Sequence, residues 1–443
     1  MKNNFRFLTL ILFLITFLLL SGCWDYTEYE DMTLLTALGF DQGQNGQITL
    51  TSLYTPITGT QGGGPSGGQE ASGDATSKVV VNQVSSSTIS CAIDNLQQLV
   101  PKQIFLGNIG LIVIGSQITS EDMRKIISFL DTTQYIRPST LVAVSQGKAG
   151  DFLSIQTNVG PNPLRIAELI SNTTRSGAGI PITILQLMQA LDREGFEPML
   201  PMGEAEAQPE KSEANQSEGN GSNQGTSSSG SSKTNNDKTE QPAPGLKPVL
   251  GLIKPKLGNH KISGLAVFKG YQMLGQLDEM ETRGVVWLTN QKFNGHVCVN
   301  IQDTTDPSVK PKPISFRISD FRTQRKVMLT GGTPQVLLQV KISAILEEFR
   351  YSPKTLPPAF MKTIEKNLAD SIKLTMKKSI AKAQSLNSDI FGFGFDFRRQ
   401  HLKVWQRTYR RQWDQIFPDL PVSIKVKIRI LTTGTKIPSI LER

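Results

Sequence analysis

Apolar residues along this chain recur with two periods. Alternation at period two predicts strands with one buried face, and returns at three and four residues predict helices. MTLLTALGFD (32–41) and ITLTSLYT (48–55) read as strands, with QNG between them as a hairpin turn. SKVVVNQV (77–84), FLGNIGLIVIGS (105–116) and STLVAVSQG (139–147) read as further strands, the second apolar enough to be central. Helices interleave with them. STISCAIDNLQQLV (87–100) carries a stripe at Ile89, Ala92, Ile93, Leu96 and Val100. SQITSEDMRKIISFLD (116–131) offers Thr119 or Ser120 as N-cap, with acids in its first turn. NPLRIAELISNTTR (162–175) and ITILQLMQALDREG (182–195) read as two more helices.

The pattern then stops. Residues 202–247 are polar, repetitive and almost without large apolar side chains. Such a segment buries too little to offset the entropy of ordering, and it reads as a disordered linker or long loop. Periodicity resumes with KISGLAVFKG (261–270) and YQMLGQL (271–277), a strand pair joined at Lys269 and Gly270. DEMETRGVVWLTN (278–290) reads as a short helix capped by Asp278, and three further strands are expected within 293–349. Next, Met361, Ile364, Leu368, Ile372, Met376 and Ile380 follow helical spacing. A helix of about 27 residues there spans roughly 40 Å. PVSIKVKIRIL (421–431) alternates strictly, with Lys425, Lys427 and Arg429 opposite Ile424, Val426 and Ile428. It predicts a half-buried strand with a basic outer face, and lysines there also discourage edge-to-edge pairing.

The N-terminus is of another kind. Lys2 and Arg6 precede FLTLILFLITFLLL (7–20), followed by Ser21, Gly22 and Cys23. A basic region, a short apolar run and small residues describe an export signal, too short for an ordinary membrane span of roughly 20 residues. LSGC at 20–23 resembles the bacterial lipobox, whose cysteine is diacylated before the signal is removed. Two acyl chains hold a protein durably on a membrane. The expected organisation is a lipoprotein signal at 1–22, an N-terminal α/β domain at 23–201, the polar segment at 202–247, and a C-terminal α+β region at 248–443, as one unit or two subdomains. The expected fold class is α+β: mixed α/β layers, several domains, sheets packed with helices, and a long C-terminal helix against an antiparallel sheet.

Composition narrows the chemistry. Residues 354–443 hold 18 Lys and Arg against 7 Asp and Glu, so this last fifth carries all of the chain's +9 excess. A basic surface attracts anionic lipid or an acidic partner when it lies outside a cell, although a solvated basic face gives the same count. Nucleic acid is not an expected partner. Cys91 and Cys298 read as small buried hydrophobes rather than a bridge. His260, His296 and His401 are scattered and lack zinc-ligand spacing, so no metal or other cofactor is expected. No nucleophile elbow, P-loop, zinc-protease motif or full dinucleotide fingerprint occurs. GFGFDF (392–397) reads as a turn with apolar anchors, Glu279 and Glu281 as surface or capping groups, and Trp405, Tyr409 and Trp413 as a core stripe. No catalytic residue is assigned.

Several segments together resemble the Ger(x)C spore germination lipoproteins. The match runs through Cys23, Trp24 and Asp25, then Gly39 and Asp41 at the end of the first strand. It continues in FLGNIGLIVIGS, where Asn108 replaces a histidine often seen in the family, and in ISFLDTTQYIRPSTLVAVSQGKAGDFL (127–153) with Asp131 and Arg137. GLAVFKGYQMLGQLDEMETRGVVWL (264–288), the turn from Asp389 to Phe395, and the spacing of Trp405 and Trp413 complete it.

The resemblance implies a non-enzymatic C subunit of a nutrient germinant receptor, lipid-anchored through Cys23 on the outer face of the inner spore membrane. Its implied partners are the membrane-embedded A and B subunits. Lys425, Lys427 and Arg429 are the expected partner or membrane face. Two other readings compete. A solute-binding lipoprotein of a transporter would need two lobes around a pocket with a crossover hinge. A cell-wall hydrolase would need the nucleophile or metal motifs that are missing.

Overall fold

The computed structural model describes Leu10, Ile11 and Phe13 and residues 28–55, 79–156, 162–207, 251–252, 256–301, 312–348 and 358–433. Strand β1 (Met32–Gln42) turns through Asn45 and Gly46, at φ 53° and 74°, into β2 (Ile48–Tyr54). An Asn-Gly pair suits this turn because both residues tolerate positive φ. β3 (Val80–Ser86) pairs antiparallel with β2. Helix α1 (Ile89–Gln97) follows, its N-cap Thr88 Oγ1 accepting from the Cys91 N–H at 3.2 Å. β4 (Gln103–Phe105) lies parallel to the start of β1. β5 (Leu111–Gly115) is buried along its whole length between β1 and β6 (Leu141–Ser145), parallel to both. α2 (Ser120–Thr132) links β5 and β6, capped by Thr119.

After β6 come α3 (Ala149–Ser154), β7 (Ile155–Gln156), α4 (Asn162–Ser176), β8 (Ile182–Thr183), α5 (Ile184–Asp192) and β9 (Met199–Ala207). Residues 202–207, expected to open the polar segment, instead continue β9. Backbone pairing with β11 (Lys256–Lys269), from Met199↔Val267 to Ala207↔Gly258, holds them in the sheet where apolar content alone would not. The remaining polar residues, 208–247, lie outside the described residues. β10 (Gly251–Leu252) pairs with β3, and β12 (Gln272–Leu277) closes a hairpin with β11. The main strand order is β10-β3-β2-β1-β5-β6-β9-β11-β12, so the sheet runs on past residue 248. One face packs against α1, α2 and α5, through residues such as Ala92, Ile126 and Leu187. The other packs against α3 and α4, through Phe152, Leu153, Ile166 and Ile170.

Helix α6 (Glu279–Thr289) opens with the capping box of Asp278 and Glu281. A second sheet follows: β13 (His296–Ile301), β14 (Lys312–Thr330) and β15 (Thr333–Glu348), antiparallel in sequence. Next come the 28-residue α7 (Pro358–Ser385), α8 (Phe393–Gln400), and finally β16 (Val422–Thr433). The return through these helices brings β16 back parallel to β15, as a crossover connection requires. Ile364, Leu368, Ile372, Met376 and Ile380 of α7 are buried at steps of four residues. α6 crosses α7 at Gly284, where a Cβ would sit 1.8 Å from Ser379 Oγ and 2.7 Å from the Thr375 carbonyl, so only glycine fits.

The two cysteines correct the reading of buried thiols: both Cys91 and Cys298 are free and exposed. Cys91 falls off the Ile89–Ala92–Leu96 stripe of α1, and Cys298 alternates outward between buried Val297 and Val299. Periodicity, rather than residue type, decides both positions.

Candidate functional site

Lys425, Lys427 and Arg429 are exposed on the outer face of β16, as the alternation predicts. Strand pairing adds partners that lie far away in sequence. Lys427 is in register with Lys341 on β15, and Lys341 with Arg322 on β14. Residues in register share a face, so these three form a cationic row across adjacent strands about 4.8 Å apart. Lys425 flanks the row beside Gln339, Arg429 beside Ser343, and Lys326 of β14 faces the same way opposite Leu337. All six cations are exposed, and none of them makes an ion pair among the described residues. Asp320, opposite Ser343, is the one acid in this patch among the described residues. Nearer the end of β15, Glu347 is held by Arg317 at 2.5 Å and His296 at 2.8 Å, and the Arg317 hydrogen bond foremost keeps its carboxyl below the usual range. Like charges directly opposite each other destabilise a sheet. A patch of six cations with a single acid among them is suited to an external counter-charge.

Arg322, Lys326 and Lys341 were not singled out in the sequence. The alternation of FRTQRKVML contains the signal, but only the register of three strands shows that these cations join those of β16. The other charged residues take structural posts. Glu281 completes the α6 capping box, and Glu279 pairs with Arg283 at 3.3 Å. Arg137 Nε donates to the Gly107 carbonyl at 2.9 Å rather than to Asp131. Asp41 is buried and accepts from the Ala149 and Gly150 N–H groups at 2.7 and 2.9 Å, tying the end of β1 to the start of α3. Burial pushes its carboxyl up, against the pull of those donors. Gly115 leaves room for this carboxylate, since a Cβ there would lie 2.1 Å from Asp41 Oδ1.

A second buried carboxylate does the same in the C-terminal region. Asp389 accepts from the N–H groups of Phe393 and Gly394 at 3.0 and 2.8 Å, and from Trp413 Nε1 at 3.0 Å. Burial raises its pKa to about 6 despite these three donors. GFGFDF, read as a turn, instead opens α8 from its N-cap Gly392, and the first N–H groups of that helix clamp a carboxylate. This clamp also joins the two halves of the chain: Phe395 N–H donates to the Gly195 carbonyl at 2.9 Å, and Glu197 N–H to the Asp389 carbonyl at 3.0 Å. The backbones cross so closely that a Cβ on Gly195 would lie 2.6 Å from the Gly394 carbonyl carbon. Trp405 and Trp413 are buried here, with ring centroids 5.4 Å apart, as a core stripe should be. Cys23 lies outside the described residues. No cluster that could hold a metal, and no helix long and apolar enough to cross a membrane, occurs among the described residues.

Comparison with known proteins gives two successive matches. Residues 25–205 match the spore germination protein N-terminal domain, and residues 263–434 match the spore germination B3/GerAC-like C-terminal domain. The chain belongs to the Ger(x)C family of spore germination proteins. Spore germination protein KC of Bacillus subtilis (strain 168) is 22% identical over 432 residues, covering 96% of this chain and 95% of its own. Spore germination protein B3 of the same organism is 20% identical over 442 residues, covering 98% and 99%. A crystal structure of the GerBC protein covers 89% of this chain and 97% of its own, at 16% identity and a TM-score of 0.49. Between them the two Ger(x)C matches leave out 206–262, which contains the remaining polar residues 208–247. The Asp41 and Asp389 clamps fall one in each matched region.

Proposed function

We propose that this chain is the C subunit of a nutrient germinant receptor. It is anchored by a diacylglyceryl group on Cys23 to the outer face of the inner spore membrane, and it docks there on the membrane-embedded A and B subunits. The observation that carries the docking is the unpaired cationic face of β14, β15 and β16. The lipobox-like sequence before Cys23 supports the anchor. Met32 is nine residue steps beyond Cys23, so β1 starts at most roughly 30 Å from the bilayer. Salt screens charges beyond about 8 Å at physiological ionic strength, so the face acts in contact and not at long range. The solute-binding alternative needs a hinge between separate lobes. Here Ala207 and Gly258, on either side of the polar segment, are paired neighbours in one sheet.

The test is made in spores with Lys425, Lys427 and Arg429 all changed to Glu. The variant is expected to remain in the membrane fraction with Cys23 acylated, while losing co-purification with the A and B subunits and slowing nutrient-triggered germination. Unchanged co-purification would sink the docking role. Loss from the membrane fraction of a chain still acylated on Cys23 would mean that the basic face, rather than the lipid, holds the protein there.

A further inference from the structure

A cavity of about 340 Å³ opens where α5 meets α6, β14 and α8. It is separate from the basic sheet face, because Arg325 projects from the opposite side of β14 to Arg322 and Lys326. Its volume falls in the range of small-molecule sites, and such sites favour the seams between packed regions. Its apolar lining includes Leu187, Met199, Phe391 and Phe395. Its charged lining is three arginines and one carboxylate: Arg193, Arg325, Arg399 and Asp396.

These charges do not balance. Asp396 is buried, and Arg325 Nε lies 3.0 Å from its Oδ2. Arg325 Nη1 also donates to the Phe391 carbonyl, so this guanidinium is committed. Arg399 Nη2 stands 3.5 Å from the other carboxylate oxygen, with most of its side chain in solvent. Arg193 meets no carboxylate among the described residues. Its Nη2 donates to the Gln189 side-chain oxygen at 3.3 Å, and its guanidinium stands 5.3 Å from the centre of the Phe395 ring. One carboxylate thus answers three guanidinium groups beside an apolar wall. A guanidinium fork matches the paired oxygens of a carboxylate or phosphate.

We propose that this cavity binds a small organic anion with an apolar body. Arg193 and Arg399 grip its carboxylate or phosphate at the mouth, and Leu187, Phe391 and Phe395 cover its body. Arg193 lies in the first family-matched region and Arg399 in the second, so a bound anion bridges the seam between them. The site needs neither the lipid anchor nor the receptor partners, and it stands or falls independently of the docking role.

The experiment is calorimetric titration of the purified full chain with phenylacetate, phenyl phosphate, inorganic phosphate and benzyl alcohol. Saturable binding of at least one aromatic anion is expected, tighter than inorganic phosphate and benzyl alcohol, and weakening as salt is added. The tighter of the two anions tells carboxylate from phosphate. Arg193→Ala with Arg399→Ala is expected to weaken binding about tenfold or more, from the loss of two charged hydrogen-bonding groups. Both side chains are exposed, so the thermal midpoint of the double variant should stay close to the parent's. Three results would each overturn the proposal: no saturable binding of either aromatic anion, binding unchanged in the double variant, or benzyl alcohol bound as tightly as the anions. Inorganic phosphate bound as tightly as phenyl phosphate, with phenylacetate no tighter, would overturn it too by removing the apolar half.

Discussion

Asp389 shows how much one residue can be asked to hold. Its carboxylate joins the start of α8 to the Trp413 indole, and its own carbonyl takes the Glu197 N–H across the seam. Burial lifts its pKa from the ordinary 3.8 to about 6, so the fold favours the protonated form. The sign of the pH dependence follows. A raised folded pKa contributes stability that is fully present below the unfolded value and is lost as pH rises through the folded one. Asp389→Asn removes this titration. The stability of the parent relative to the variant should therefore be greatest below pH 3.8 and decline as pH rises to about 6. Thermal unfolding of both proteins across that range measures it, and a difference flat in pH would exclude the titration.

Among the elements, α7 makes the cleanest case. Its stripe buries Leu368 completely, while Leu374 on the same helix is 56% exposed. Truncating a buried leucine removes transfer free energy and leaves a cavity, so Leu368→Ala should cost about 2–5 kcal/mol. Leu374→Ala should change stability by about 0.5 kcal/mol or less. Denaturant midpoints compare the two, and equal losses would mean that α7 does not face the core as described. The basic sheet face is a property of paired elements in the same way. One strand supplies three of its cations, and the registers β14–β15 and β15–β16 bring the other three alongside.

At the scale of the molecule, one apolar cluster runs from Leu35 in β1 to Ile428 in β16. β11 lies beyond the polar segment yet pairs with β9 before it, and the crossing of Gly195 with Gly394 adds a second tie. Cleavage within 208–250 should therefore leave two fragments that travel together. Limited proteolysis followed by size exclusion under native conditions checks this. Separate elution of the fragments would show that the core does not hold the halves.

The sequence by itself determined most of the longer elements, though not β9, β10 or the start of α8, because alternation and helical return are local properties of a chain with buried and exposed faces. It placed the QNG turn, the caps at Thr119 and Asp278, the α7 stripe and the basic face of β16, and its ordered motifs were enough for the family. Tertiary structure alone decided which strands are neighbours. Pairing extended β9 through GEAEA, whose composition reads as linker, and it carried the first sheet past residue 248. It assembled Arg322, Lys341 and Lys427 into one row, and it gathered Arg193, Arg325, Arg399 and Asp396 around one cavity. Hydrogen-bonded register and close packing join residues far apart in sequence, and no local period encodes which distant segment will supply the partner.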